Sequence, residues 1–162
     1  LLRARVQSEA EDVKDLVVTD TTCLIALDRI GHLHVLPSLF AVHASPAVVE
    51  EFGQHPSWLI VQEPGPTRVE VLLKRLDAGE AEAIALAESF ADVRLLIDEQ
   101  QGRRIAEQLG LRVTGTAGVL GIAKEAGVIM AVRPLLDALR NRYAFRLSDA
   151  LYDRVIREAG EA

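Results

Sequence analysis

Leu16-Val17-Val18-Thr19-Asp20-Thr21-Thr22-Cys23-Leu24-Ile25-Ala26-Leu27-Asp28-Arg29-Ile30 is the stretch that decides how this chain is built. Its first four residues are aliphatic or β-branched, the composition of a short strand, and they stop on an aspartate. After Asp20 the apolar residues recur at helical spacing until Gly31 closes the run. A strand that passes at once into a helix, with an acid at the turn, is the unit from which parallel sheets covered by helices are made.

The same unit recurs downstream. Residues 93–97 read as an apolar strand broken only by Arg94 and ending on Asp98; residues 99–109 follow as a helix stopped by Gly110. A third short strand, 111–113, leads through Thr114-Gly115-Thr116 into a helix to residue 126. Between these units the pattern predicts a helical piece over 32–40, a strand over 41–44, and a helix from Pro46 to Gly53 with Ser45 as its cap. It also predicts a strand over 58–62, a helix over 67–76, and a helix from Asp77 to about residue 90. Residues 134–141 and 148–158 close the chain as helices. Strands alternating with helices imply right-handed crossovers, so the expected class is α/β, a three-layer α/β/α sandwich around a central parallel sheet.

At 162 residues the chain is expected to be one domain over 16–162, preceded by an N-terminal extension over 1–15. Apolar residues make up 49% and charged residues 26%, which excludes disordered and fibrous classes. Cys23, the one cysteine, has no partner for an internal disulfide, and no Cys/His cluster has zinc spacing; a reducing cytoplasm is expected. The uncharged run 30–49 holds Pro37, Pro46 and three histidines, so it reads as two soluble elements rather than a membrane span. Residues 1–14 lack the apolar centre of a signal peptide. A net charge of −6 argues against tight nonspecific nucleic-acid binding, although several acids gathered in one metal site would themselves raise the negative count.

Asp20 and Asp98 both stand where the chain leaves the sheet, the edge at which open parallel sheets bind ligands. Each also has a plainer reading as the cap of its own following helix. If their strands are neighbours the two carboxylates converge, and like charges that close need a cation or a raised pKa. Oxygen-only ligands suit magnesium or manganese. In the Pro46 helix Val48, Val49 and Phe52 define the buried side, which puts Glu51 on its flank and Glu50 nearly opposite; Glu51 is preferred as a third acid, against two solvated glutamates. In Gly79-Glu80-Ala81-Glu82 only one acid can face a given point; Glu80 has a capping role, and Glu82 sits among small alanines, so Glu82 is preferred. Thr114-Gly115-Thr116 reads as a helix cap or a phosphate-binding turn. Arg103 and Arg104 read as a solvated face or as contacts to a substrate backbone. Cys23 reads as packing, and the histidines have no ligand spacing. Leu24, Ile25, Leu36 and Leu39 read as core or as a dimer face.

Taken together, Asp20-Thr21-Thr22-Cys23-Leu24-Ile25-Ala26-Leu27, Ser45-Pro46-Ala47-Val48-Val49-Glu50-Glu51, Gly79-Glu80-Ala81-Glu82-Ala83-Ile84-Ala85-Leu86-Ala87 and Leu95-Leu96-Ile97-Asp98-Glu99 resemble PIN domains in order and spacing. The resemblance covers roughly residues 16–160 and is nearest to a PIN-like branch of prokaryotic proteins similar to VapC toxins. It implies a Mg2+- or Mn2+-dependent ribonuclease, the toxin of a toxin–antitoxin pair, with an RNA substrate, an antitoxin partner and a homodimeric state. It further implies Asp20, Glu51, Glu82 and Asp98 as the metal-holding acids, with Thr22 orienting the first aspartate or a water. Glu82 stands where many members carry aspartate, and Leu96 where the common pattern has Thr or Ser. The alternative is therefore a catalytically inactive PIN-like module that binds RNA or a protein partner. A receiver domain would want an acidic pair near the end of the first strand and a late lysine. An aspartate phosphatase would want a second acid at Thr22.

Overall fold

The computed structural model describes residues 14–162, so the extension expected over 1–15 lies outside the described residues except for Lys14 and Asp15. Five parallel strands make one sheet: β1 (Asp15–Thr19), β2 (Phe40–Ala44), β3 (Ile60–Val61), β4 (Arg94–Leu96) and β5 (Arg112–Thr114), in the order β3-β2-β1-β4-β5. All four strand pairs are parallel, with Val18 opposite His43 on one side and opposite Leu95 on the other. The helices described are α1 (Thr21–Arg29), α2 (Val35–Leu39), α3 (Pro46–Phe52), α4 (Pro66–Leu72), α5 (Ala78–Glu88), α6 (Gln100–Gln108), α7 (Thr116–Glu125), α8 (Arg133–Arg142) and α9 (Asp149–Glu158).

Successive strand residues point to opposite faces, and that alternation separates two apolar cores. Val17, Val42 and Leu96 pack with side chains of α1, α2, α7, α8 and α9 on one face. Val18 and Leu95 pack with α4, α5 and α6 on the other. The three-layer α/β/α sandwich expected from the strand–helix alternation is what the chain forms. Leu24 and Leu36 are fully buried, each contributing about 1.5–3 kcal/mol of burial, so this part of the suggested dimer face is core.

Several elements are shorter than their sequence pattern. Gly31 turns the chain with φ +70°, and only Val35–Leu39 of the segment 32–40 is helical. The strand expected over 58–62 keeps two residues, because β3 is an edge strand with only His43 and Ala44 to pair with. α4 stops at Leu72, where Arg75 and Leu76 both donate back to the Leu72 carbonyl and turn the chain toward the cap of α5. At the other end, Glu161 accepts hydrogen bonds from Lys124 and from the Val132 and Arg133 N–H groups that open α8. Burial works against its charge, yet these donors hold its carboxyl down to about 2.

From β1 the chain steps outward to β2 and β3, then returns to lay β4 on the opposite side of β1. The carboxyl ends of β1 and β4 therefore flank the crevice where strand order reverses, the usual ligand position in an open parallel sheet. Among the described residues no helix is long and apolar enough to cross a membrane.

Candidate functional site

Asp20 follows β1 directly, and its backbone N–H donates to the Leu96 carbonyl at 2.9 Å, which carries the β1–β4 pairing one residue beyond the strands. Its Oδ1 accepts the Cys23 N–H at 3.0 Å, so the capping reading holds for this residue. The side chain is nonetheless 3% exposed at the sheet edge. Burial, then the charges of Asp98 and Glu80, push its carboxyl well above the usual carboxylate range, against the N–H groups of Cys23 and Asp98. The adjacent Cys23 is fully buried, and burial with the two aspartates pushes its thiol up as well.

Asp98 does not cap its own helix. Its Oδ1 accepts the Thr116 N–H at 2.8 Å and its Oδ2 accepts the Thr116 hydroxyl at 2.6 Å, so it caps α7, the helix that follows the next strand. Thr114-Gly115-Thr116 is thus a helix start already occupied by a carboxylate. Burial raises the Asp98 pKa; the two Thr116 bonds and Arg103 pull it down, and Glu99 pushes it up again. Leu96, which departs from the hydroxyl residue of the common pattern, is fully buried in the core. The hydroxyl that steadies Asp98 comes instead from Thr116 at the start of α7.

Glu51 reaches back from α3 to β1's end, where its Oε2 accepts the Thr21 hydroxyl at 2.9 Å. Ser45 caps α3 through the Val48 N–H, and Gly53 with φ +77° ends it, which sets this short helix across the sheet edge. Thr21, buried in the first turn of α1, thereby orients Glu51. Thr22 itself is exposed and makes no side-chain hydrogen bond among the described residues.

Of the two acids in Gly79-Glu80-Ala81-Glu82, Glu80 rather than Glu82 lies near the others. Glu82 lines a separate cleft of about 310 Å3 with Pro46, Glu63, Pro66 and Glu70, whereas Glu80 faces the other acids. Asp77 accepts the Glu80 N–H at 2.9 Å and caps α5. Burial, then hydrogen bonding and charge at Asp77, then the charges of Glu99 and Glu51, push the Glu80 carboxyl up to about 8. A helix turns about 100° per residue, so choosing residue 80 turns residue 82 roughly 200° away.

Three glycines make room for these carboxylates. A Cβ on Gly79 would lie 3.0 Å from Glu51 Oε2; on Gly102, 2.8 Å from Glu80 Oε2; on Gly115, 2.8 Å from Asp98 Oδ1 and from an Arg103 guanidinium nitrogen. The sequence pattern assigns Gly102 and the Thr21 hydroxyl no role, and offers Gly79, Gly115 and Thr116 only as parts of a helix start and a turn. The available signal was Gly102 inside a helix, where glycine costs about 1 kcal/mol against alanine and asks for a packing reason.

Asp20, Glu51, Glu80 and Asp98 thus gather at the crevice between β1 and β4, with a cleft of about 460 Å3 beside them lined by Ala47, Glu50, Glu51, Asp77, Ala78 and Gly79. An all-oxygen set of acids, three of them raised by burial and by acidic neighbours, has the chemistry of a hard divalent-cation site, Mg2+ or Mn2+ before Zn2+. As they stand, no three His, Cys, Asp or Glu side chains among the described residues converge tightly enough to hold an ion. Three of the four carboxylates lean instead on protein donors: Asp20 on Cys23, Glu51 on Thr21 and Asp98 on Thr116. The sequence model of a family described as a PIN domain matches residues 16–161. No curated protein and no solved structure matches the chain.

Proposed function

Because the chain belongs to the PIN-domain family, a nuclease-type fold, we propose that it is a divalent-metal-dependent endoribonuclease centred on Asp20, Glu51, Glu80 and Asp98. The observation that carries the proposal is the burial of acids at the crevice: Asp20, Glu80 and Asp98 are all held above the ordinary carboxylate range, by burial first and by neighbouring acidic charge second. Arg103 is the one cation among the causes of these shifts, so the charge is left for a bound cation to balance. Mg2+ or Mn2+ held by these four residues supplies activation of water and neutralisation of charge on a phosphodiester.

The chain's own groups prepare that position. Thr21 orients Glu51, Thr116 fixes both oxygens of Asp98, and the Cys23 N–H holds one oxygen of Asp20. Glu80 carries a proton through neutral pH and must release it before it can serve as a ligand. The resemblance extends the proposal to a cytoplasmic toxin acting as a homodimer and restrained by an antitoxin.

One observation favours a second reading, a PIN-like module that binds RNA or a protein without cutting. Asp20, Glu51 and Asp98 are each satisfied by a protein donor, and no three acids among the described residues converge tightly enough to hold an ion. Calorimetric titration of Mg2+ and Mn2+ into the wild-type chain and Asp20→Asn, beside a single-stranded RNA cleavage assay, separates the two. Metal-dependent cleavage that is lost in Asp20→Asn supports the nuclease. A folded chain that neither binds metal nor cleaves overturns it in favour of the binding module.

A further inference from the structure

The surroundings of the acidic centre are unequal. On one side the cleft beside Glu51 is walled by further acids, Glu50 and Asp77. On the other, a groove of about 260 Å3 is lined by Arg75, Glu99, Gln100, Gln101 and Arg104. Glu80 is within charge range of both, of Glu51 and Asp77 from the first and of Glu99 from the second. Arg103 lies between the groove and Asp98, its guanidinium against the space that Gly115 leaves open.

We propose that the groove between Arg75 and Arg104 is a backbone-phosphate subsite that seats a single-stranded polynucleotide on one side only of the acidic centre. None of Arg75, Arg103 and Arg104 makes an ion pair or a side-chain hydrogen bond among the described residues. Other arginines do pair: Arg68 with Glu88, Arg112 with Asp92, Arg140 with Asp149. In a chain of net charge −6, free guanidinium groups next to an acidic centre are where a polyanion gains most. Guanidinium forks bind phosphate oxygens two at a time, and the amides of Gln100 and Gln101 add donors between them. The groove has no aromatic side chain, so it grips phosphate and sugar rather than stacking bases. The acid-walled cleft beside Glu51 repels the same backbone, which favours the arginine groove over it. The proposal uses the nuclease reading for the point where the strand is cut, while the groove's own affinity is independent of cutting.

The test measures binding of a fluorescent twelve-residue oligouridylate to the full chain by anisotropy, in chelator so that no metal-dependent cutting occurs, across a salt series. Cleavage of the same oligonucleotide in Mg2+ and in Mn2+ is followed in parallel. Arg75→Ala with Arg104→Ala is expected to weaken binding about tenfold and to lower the salt slope by about 1.4, at about 0.7 per phosphate contact. Arg154→Ala with Arg157→Ala, exposed arginines of α9, is expected to stay within about twofold, and coincident melting curves check the folding of both pairs. Equal losses in the two pairs mean diffuse charge attraction and overturn the subsite, as does a wild-type chain that does not bind the oligonucleotide. Binding through Arg75 and Arg104 without any cleavage keeps the subsite and sinks the nuclease reading. Cleavage with binding indifferent to both arginines does the reverse.

Discussion

Replacing Thr116 by valine keeps the side chain's shape and removes the hydroxyl that donates to Asp98 at 2.6 Å. Thr116 is fully buried, so water cannot stand in for the lost donor. A buried hydrogen bond to a charged group is worth about 1.5–3 kcal/mol, and the Thr116 N–H still serves Asp98, which places the expected loss near 2 kcal/mol at pH 8. For a chain of this size that is a drop of roughly 4–8 °C in melting temperature. The sign with pH follows from Asp98 itself. Its pKa is already raised by burial, and the hydroxyl is one of the groups restraining the rise. Without it the folded-state pKa climbs further from an unfolded value of about 3.9. A raised acid costs nothing while protonated, and its penalty appears as pH rises through the folded value. The deficit of Thr116→Val relative to wild type is therefore smaller at pH 5 than at pH 8. Urea unfolding of the metal-free proteins at both values measures it. A difference under about 0.5 kcal/mol at pH 8, or a larger deficit at pH 5, would refute the role given to this hydroxyl.

Other consequences are open to the same instruments. Asp20→Asn keeps a helix-capping side chain and removes a buried charge, so the metal-free protein should melt higher by about 1–2 kcal/mol equivalent while cleavage is lost; a lower melting temperature contradicts the account of Asp20. Gly102→Ala gains about 1 kcal/mol of helix propensity, but its Cβ would meet Ile97 Cδ1 at 2.7 Å and Glu80 Oε2 at 2.8 Å. With overpacking at about 1–3 kcal/mol, the net effect should be a loss of stability with weaker Mn2+ binding, and a gain in thermal stability would count against it. Because Glu80 titrates at about 8, metal affinity should rise as pH rises toward that value, with proton uptake by the buffer visible in calorimetry across buffers of different ionisation enthalpy. Metal-free stability should move the other way, falling between pH 5 and 8 as Glu80, Asp20 and Asp98 are forced to ionise.

How far the sequence reaches depends on the range of the interaction. β1 followed by α1, the Ser45 cap before Pro46 and the Asp77 cap of α5 are all local, set within four residues, and they were legible. So was the parallel sheet, since alternation of period is a property of each segment. Strand neighbours were not: that β4 lies beside β1, which brings Asp20 and Asp98 together, is a tertiary fact. The same holds for Asp98 capping α7 rather than α6. The Glu80 and Glu82 choice turns on orientation, which local pattern does not set: with Asp77 as the cap, the Glu80 carboxyl is free to face the crevice while Glu82 lines another cleft. Space is the least legible quantity of all, as Gly79 and Gly115 look like ordinary punctuation until the carboxylates appear against them.

The sheet order also divides the chain in two. The first three strands form one contiguous block with Asp20 and Glu51, and the last two form another with Glu80 and Asp98; the blocks join along the β1–β4 ladder. The exposed connection around residues 62–65 is the one covalent link between them. Neither piece carries the centre by itself, and each holds half of the acids. A cut there would divide the first apolar core as well as the acids, since Leu24 and Leu36 of one piece pack with Leu120 and Leu136 of the other.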